Sequence, residues 1–248
     1  MAQVQIEERG DIAVLRLTNG VTNAIGPEMI RDLSGAVAQI RENFHGMVLA
    51  GGEKFFSMGF DLPNLLTLDR QGMADFFYGF NDACMAIYTL PMPTVFAAAG
   101  HAVAGGHILA LACDYRLAAE GKTKFGLNEV RLGVPVPYLS DLIQRQIVSD
   151  RSARQILYRG DLIPVADAVV MGLVDEVVAK DALEERAVAF VSELVALPAP
   201  AFAAIKENRV EAVREQYEKR YVKKNEAFLD LWLSPETQAR LAEAAKKF

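Results

Sequence analysis

The sequence contains few cysteine, histidine and tryptophan residues: of 248 residues, two are cysteine, three are histidine and one is tryptophan. Cys84 and Cys113 cannot build the multi-disulfide framework that stabilises small secreted domains. The histidine, cysteine and acidic residues nowhere have the spacing of a metal site, so we expect no bound metal. This cysteine usage is typical of proteins from a reducing compartment, and we expect a cytoplasmic location.

An excess of basic residues is also missing. The chain has 26 Lys and Arg residues against 32 Asp and Glu residues, which gives a net charge of −6. Nucleic-acid-binding proteins normally carry a basic patch or stripe, so this balance argues against a nucleic-acid partner. The first eight residues lack the basic and apolar regions of a signal peptide.

No Asp, Glu, Lys or Arg occurs between Ala83 and Cys113, a stretch long enough to cross a bilayer. Two prolines and three glycines interrupt this stretch, and no basic flank sets an orientation in a membrane. We therefore predict a buried strand, a glycine turn and a buried helix here, and no contact with a membrane.

Apolar residues are abundant, at 52% of the chain, which predicts buried contacts between subunits. Up to Pro137, strand-like runs alternate with helix-like runs, and this alternation predicts an α/β fold with a largely parallel sheet. Beyond Pro137 the pattern is mainly helical. The predicted elements are a hairpin at 3–18, strands at 47–50, 94–99, 115–119 and 173–178, and helices at 27–41, 73–90, 105–112, 142–148, 151–158, 165–171, 181–197, 200–217 and 235–248.

Three segments carry residues suited to chemistry. Segment 55–62 is predicted as a loop after a strand. In segment 99–107 a strand enters the small-residue turn 104–106, which opens a helix, and the free N–H groups of a helix start can hold an anion or an oxyanion. Segment 124–129 places the carboxyl of Glu129 directly after an apolar stretch.

Each segment taken alone is a weak signal. A Gly-Gly pair before a helix more often reflects close packing, and a lone Glu after a strand is more often solvated. No dinucleotide-binding or Walker fingerprint is present in the sequence. Ser57 has no evident His and Asp partners, which argues against a serine hydrolase. His101 and His107 are more typical of structural histidines.

Taken together and in this order, the segments resemble the crotonase family, also called the enoyl-CoA hydratase/isomerase superfamily. Residues 56–62 are similar to the family's F-S-x-G-x-D-L loop. Residues 104–106 and 113–114 are similar to its G-G-G helix start and C-D strand start. Residues 125–133, with Glu129 inside them, are similar to its F-G-x-x-E-x-x-x-G segment.

The resemblance implies an α/β protein with a crotonase-like ββα spiral core at 1–195 and a C-terminal helical trimerisation region at 196–248. It implies assembly into homotrimers or dimers of trimers. It also implies an acyl-CoA thioester as the substrate, so that coenzyme A is part of the substrate and no separate cofactor is expected.

Members of the family pass through an enolate-like thioester oxyanion. By similarity, the backbone N–H groups of Phe60 and Gly105 hold this oxyanion, and Glu129 carries the proton. An apolar pocket raises the pKa of a carboxyl, which suits Glu129 to acid/base work near neutral pH. The residues expected to contact coenzyme A or the acyl group are Phe56, Ser57, Met58, Gly59, Asp61, Leu62, Gly106, Ile108 and Pro135.

The sequence differs from the hydratases of the family at Ile108, where hydratases carry a second Glu that positions water. The missing carboxylate favours the Δ3,Δ2-enoyl-CoA isomerases, which use one Glu to remove a proton from C2 and return it to C4. Two alternatives stay open at this point. One is an enoyl-CoA hydratase that uses Glu129 with an unidentified helper group, and the other is a non-catalytic member of the superfamily.

Overall fold

The structure of the protein is a computed structural model that describes residues 2–246. Strands and helices alternate through the first two thirds of these residues, and helices follow. In chain order the elements are β1 (Val4–Arg9), β2 (Ile12–Leu17), α1 (Pro27–Asn43), β3 (Gly46–Ala50), β4 (Phe55–Ser57), α2 (Leu62–Leu65), α3 (Arg70–Tyr88), β5 (Thr94–Ala98), β6 (His101–Val103), α4 (Gly105–Ala112), β7 (Tyr115–Ala119), β8 (Lys124–Gly126), α5 (Glu129–Leu132), α6 (Tyr138–Ile147), α7 (Asp150–Arg159), β9 (Ile163–Pro164), α8 (Val165–Val170), β10 (Glu176–Val178), α9 (Leu183–Val195), α10 (Ala199–Glu218), α11 (Tyr221–Trp232) and α12 (Pro235–Ala245).

The larger sheet has six strands in the order β1-β2-β3-β5-β7-β10. Its β1–β2 hairpin is antiparallel, and the other neighbouring strands are parallel. Every residue of β3 and β5 is buried, as expected for central parallel strands covered by helices on both faces. Helix α9 covers one face through Ala187 and Val191, while α1 and α3 belong to the core on the other face.

The smaller sheet has the order β4-β6-β8-β9, and its strands β4, β6 and β8 are parallel. The carboxyl ends of parallel strands lie at the same edge of a sheet. The three segments singled out in the sequence follow these three ends, so the fold places them side by side.

The C-terminal helices share one hydrophobic core with the strands, because Phe228, Trp232 and Leu241 belong to the same buried cluster as Val4. The predicted division into a core at 1–195 and an oligomerisation region at 196–248 stays a prediction. Helices α10 and α11 also carry exposed apolar side chains, among them Ile205 and Val222, which supports the predicted contacts between subunits.

The predicted α/β class with a parallel sheet is confirmed, and α4 and β7 begin and end at the predicted residues. The uncharged stretch 83–113 holds the end of α3, then the buried strand β5, a second short strand β6 that is absent from the prediction, and the buried helix α4. Within residues 2–246 no single helix is long and apolar enough to cross a membrane, and only the bent pair Lys180–Val195 and Ala199–Glu218 passes that test when the two are combined.

Some boundaries differ from the prediction. The strand predicted at 173–178 begins only at Glu176, because Met171 and Gly172 form a turn, with a φ of +76° at Gly172, and the N–H groups of Leu173 and Val174 donate back to the Ala168 carbonyl. Helix α11 is absent from the prediction. The last predicted helix, 235–248, ends at Ala245 in the structure, and residues 247 and 248 lie outside the described residues.

Candidate active site

The loop after β4 presents the backbone N–H of Phe60. Phe60 forms a parallel bridge with Ile25, in which the Ile25 N–H donates to the Gly59 carbonyl at 2.8 Å and the Asp61 N–H donates to the Ile25 carbonyl at 3.0 Å. In such a bridge the residue between the two bonded neighbours turns its own N–H away from the partner strand. The Phe60 N–H donates to no backbone group in residues 2–246, so it is available to a ligand.

The second backbone donor stands at the start of α4. Gly105 is the first residue of this helix, and the first N–H groups of a helix have no acceptor within it. The positive end of the helix dipole adds attraction for a negative oxygen. Ala104, just before the helix, has a φ of +47° and a ψ of −119°, a conformation that alanine seldom adopts and that marks local strain.

Glycines allow these two donors to approach each other. A Cβ on Gly59 would lie 3.0 Å from the Gly105 nitrogen, and a Cβ on Gly106 would lie 2.6 Å from the Ser57 carbonyl oxygen. Gly59 also has a φ of +93°, which a residue with a side chain adopts only under strain. Side chains at these positions would push the loop and the helix apart.

Ser57 holds the loop in place from beneath. Its hydroxyl donates to the Asn23 carbonyl at 2.7 Å and accepts a hydrogen bond from the Gly59 N–H at 3.0 Å. The amide of Asn23 in turn donates to the Phe56 carbonyl at 3.0 Å. Because Ser57 is fully buried and both of its bonds are internal, its observed contacts fix the loop that carries Phe60.

Glu129 begins α5, three residues after the end of β8. Its side chain is buried, and its Oε2 atom has no hydrogen-bond partner in the described residues. Removal from water disfavours the charged form, and this desolvation raises the pKa of Glu129 to about 8. The neighbouring Asn128 leaves its buried Oδ1 atom without a partner as well. A carboxyl in this state exchanges protons near neutral pH.

The two backbone donors and Glu129 border one cavity of about 200 Å³. Among the lining residues that the structure describes, Glu129 is the one titratable side chain, and the other polar side-chain groups are the amide of Asn128 and the indole N–H of Trp232. The lining consists of Met58, Phe60, Leu62, Val103, Ala104, Gly105, Asn128, Glu129, Leu132, Val134, Pro137, Phe228, Trp232 and Ala244. Such a cavity suits an apolar group whose polar atom reaches backbone N–H donors.

The profile of the enoyl-CoA hydratase/isomerase family matches residues 7–246. The chain belongs to this family. It is 32% identical over 207 residues to the probable enoyl-CoA hydratase EchA17 of Mycobacterium avium, an alignment that covers 82% of this chain and 79% of that protein. It is 29% identical over 199 residues to the mitochondrial enoyl-CoA delta isomerase 1 of the mouse, with 79% of this chain and 69% of that protein covered.

Solved structures of the family have the same fold. The human mitochondrial Δ3-Δ2-enoyl-CoA isomerase superposes with a TM-score of 0.94 at 24% identity, over 99% of this chain and 97% of that one. The enoyl-CoA hydratase of Bacillus halodurans superposes with a TM-score of 0.89 at 24% identity, over 97% and 99%. The crotonase-like fold predicted from the sequence is confirmed, and relatives named for both activities share it.

Not every residue predicted to contact substrate lines the cavity of this family member. Met58 and Leu62 do, beside Phe60, Gly105 and Glu129. The remaining predicted contacts have other surroundings: Phe56, Ser57, Gly106 and Ile108 are buried behind the cavity, Gly59 packs against Ala104, and Asp61 accepts a hydrogen bond from the Asn64 N–H at the start of α2.

Pro135 does not line the cavity, and its predicted contact with substrate stays a prediction. It is exposed and borders a neighbouring surface groove with Tyr158 and Lys224. The chain after Gly133 turns Val134 and Pro137 toward the cavity, and Pro135 faces outward between them.

Neither of the two histidines near the glycine turn lines the cavity. His107 is fully buried, and its Nε2 lies 3.1 Å from the Gln144 Oε1. Burial lowers the pKa of His107 to about 4, so its ring is neutral near pH 7. His101 is half-buried, and its Nδ1 accepts a hydrogen bond from the Lys124 N–H at 3.1 Å. Both are placed as structural residues.

The sequence analysis missed the wall that the C-terminal helices contribute. Phe228 and Trp232 on α11 and Ala244 on α12 line the cavity, although the region beyond 195 is predicted only to hold subunits together. A helical signal was present, because the buried residues of α11 recur at positions i, i+3, i+4 and i+7. That pattern indicates that one face of α11 packs against other residues, but it does not indicate which residues these are.

Proposed function

We propose that this enoyl-CoA hydratase/isomerase family member is a Δ3,Δ2-enoyl-CoA isomerase. The observation that supports this assignment is the single titratable side chain of the cavity, Glu129. A shift of a double bond from position 3 to position 2 moves one proton and adds no water, so one carboxylate suffices. Addition of water across a double bond needs a further group that orients the water.

In the proposed reaction the Glu129 carboxylate removes a proton from C2 of a 3-enoyl thioester. Electrons move onto the thioester oxygen, and the N–H groups of Phe60 and Gly105 bind the resulting oxyanion. Glu129 then returns the proton to C4, and the double bond lies between C2 and C3. One oxyanion donor of this kind contributes about 3–4 kcal/mol of transition-state stabilisation in other enzymes.

The raised pKa of Glu129 supports the same role. A carboxylate with an ordinary pKa near 4 is too weak a base for a carbon acid. With a pKa of about 8, Glu129 binds the proton more firmly during the enolate stage and can still release it to C4.

An enoyl-CoA hydratase is the second candidate. Two observations favour it: the relative at 32% identity carries that name, and the unpartnered Oδ1 of Asn128 lies beside Glu129 and can accept a hydrogen bond from a water. The position at which hydratases of the family carry their second Glu does not favour this candidate. It is occupied here by Ile108, which is apolar and does not line the cavity.

The test compares Glu129→Gln with the wild type on a 3-enoyl-CoA, following the gain in conjugated absorbance. We expect turnover to fall by about 10⁴-fold, the upper end for loss of an acid/base group, while binding of a saturated acyl-CoA persists. The matched control is Glu42→Gln, an exposed residue of α1. Retained turnover in Glu129→Gln contradicts the assignment. Loss of the absorbance of a 2-enoyl-CoA on incubation with the wild type identifies a hydratase, and inertness toward both substrates identifies a non-catalytic member.

A further inference from the structure

The wall that α11 and α12 place on the cavity consists of Phe228, Trp232 and Ala244, which we call the C-terminal wall. Of these, Phe228 and Trp232 are each only 2% exposed. The Trp232 ring lies 6.3 Å from the ring of Phe60, whose N–H is one of the two oxyanion donors. The C-terminal wall therefore begins beside the place where the thioester oxygen binds in the proposed function.

The C-terminal wall is held firmly from behind. The Phe228 ring stacks on Phe77 of α3 with 3.8 Å between centroids and 5° between planes. Trp232 packs on Phe228 at 5.9 Å, and its carbonyl accepts a hydrogen bond from the Gln238 side chain at 2.7 Å. Because the Phe228 ring is packed between Phe77 and Trp232, it cannot move aside without disturbing the core.

The size of the cavity sets a limit on what it holds. A closed apolar cavity of about 150 Å³ binds one benzene, that is six carbons. By that ratio the cavity of about 200 Å³ holds about eight carbon-sized groups, including the thioester carbonyl and the reacting carbons. A longer acyl chain would have to leave the cavity or displace an aromatic ring.

We propose that the C-terminal wall makes the protein selective for short- and medium-chain acyl groups, up to about eight carbons. This inference rests on the proposed function for the identity of the ligand as an acyl-CoA. Ala244 is the small member of the wall, so its methyl group leaves room that a larger side chain would fill.

The chain offers a direct measurement, because Trp232 is its single tryptophan and lines the cavity. Saturated butanoyl-, hexanoyl-, octanoyl-, decanoyl- and dodecanoyl-CoA are titrated against the full chain while tryptophan fluorescence is followed. Each buried methylene is expected to lower Kd about fourfold, up to octanoyl-CoA, and longer chains are expected to gain nothing further. Saturated esters cannot react, so this readout is independent of isomerase activity.

Ala244→Leu is the variant that sharpens the test. Its three added carbons should move the limit about three carbons shorter, and octanoyl-CoA should lose about 60-fold in affinity relative to butanoyl-CoA. The matched control is Ala242→Leu, which makes the same change on the exposed side of α12 and should leave the profile unchanged. Ala244→Val provides a milder change if Ala244→Leu folds poorly.

The outcomes separate this inference from the proposed function. A wild-type affinity that keeps rising through dodecanoyl-CoA overturns the inference, as does an unchanged profile in Ala244→Leu. If Glu129→Gln stays active but the affinity series stops at octanoyl-CoA, the isomerase assignment fails and the chain-length limit stands. If no saturated ester changes the tryptophan fluorescence or competes with the 3-enoyl-CoA for the cavity, both the inference and the proposed function fail.

Discussion

Glu129 and Asp114 are carboxylates in two neighbouring parts of the fold, and their surroundings differ. Glu129 is buried in an apolar cavity and leaves Oε2 without a partner. Asp114, before β7, accepts three hydrogen bonds at Oδ2: from the ammonium of Lys206 at 2.7 Å, and from the N–H and the hydroxyl of Thr94 at 2.9 Å each. One carboxylate is isolated, and the other is fully engaged.

The residues around the two carboxylates differ in the same way. Beside Asp114, the buried guanidinium of Arg116 donates to three backbone carbonyls and to Asp175. Beside Glu129, Asn128 has an unpartnered oxygen and Ala104 is strained. Unsatisfied polar groups and strain lower stability and persist where function needs them, so this difference supports the proposed chemical role of the region around Glu129.

Removing a hydrogen-bond partner of Asp114 should have the largest effect on the free energy of unfolding. In Lys206→Met, Asp114 loses its cation and the Met92 carbonyl loses a donor, so we expect the free energy of unfolding to fall by about 3–5 kcal/mol. Lys219→Met, at an exposed lysine just after α10, should change it by less than about 0.5 kcal/mol. Urea denaturation measures both, and equal effects would refute a structural role for the pair.

Removing the isolated carboxyl of Glu129 should raise the free energy of unfolding instead of lowering it. The pKa of Glu129 in the fold, about 8, lies above the ordinary value of 4.5 for a glutamate, so the folded state retains a proton that the unfolded chain releases between these pH values. Wild-type stability therefore falls as pH rises through this window. At about 1.4 kcal/mol per pKa unit, Glu129→Gln should be more stable than the wild type by about 3 kcal/mol at pH 7. The gain should nearly vanish at pH 4.5, and a pH-independent difference would contradict this account.

The same pKa predicts the pH dependence of turnover. Reaction starts from the Glu129 carboxylate, so kcat/KM should rise with pH and level off above about 8. Between pH 8 and pH 6 we expect a decrease of about 50-fold, since about half of Glu129 is ionised at pH 8 and about 1% at pH 6. Initial rates on a 3-enoyl-CoA measure this, and a flat profile over that range would show that Glu129 is not the titrating base.

The smallest effect should come from the strained turn. Ala104→Gly removes the Cβ that makes a φ of +47° unfavourable, and we expect a gain of about 1 kcal/mol in unfolding free energy. Ala110→Gly, inside α4, should lose about 1 kcal/mol because glycine is a poor helix former. Thermal unfolding of the two variants checks the contrast, and a loss in both would mean that Ala104 is not strained.

That Phe60, Gly105 and Glu129 meet at one cavity could be predicted from the sequence because the constraints on this edge of the small sheet are local. Gly59 and Gly106 are needed where backbone approaches backbone, with atoms 2.6–3.0 Å from their Cβ positions, and a Cβ on Gly105 would lie 3.1 Å from the Phe60 ring. Glu129 follows β8 directly, so its place at the edge of the small sheet is set by a few residues. These residues lie within short segments of the chain, so local sequence patterns predict their positions.

The C-terminal wall could not be predicted in the same way, because it depends on distant contacts. Trp232 meets Phe60 across more than half of the chain, and no local pattern specifies that pairing. The partners of Lys206 and His107 are likewise remote in sequence, at Asp114 and Gln144. Which residues after Gly133 line the cavity could not be predicted either, because a proline restricts its own backbone without indicating which neighbour faces inward.

The position of the C-terminal wall also orders events during synthesis on the ribosome. The segments that carry Phe60, Gly105 and Glu129 are made well before α11, and until α11 emerges Phe77 lacks the ring that stacks on it. A nascent chain therefore carries Phe60, Gly105 and Glu129 next to uncovered aromatic surface, which chaperones or other chains can bind. Covering that surface and completing the cavity are one late step, so a chain cut short before Tyr221 would expose its core and lack a wall of the cavity.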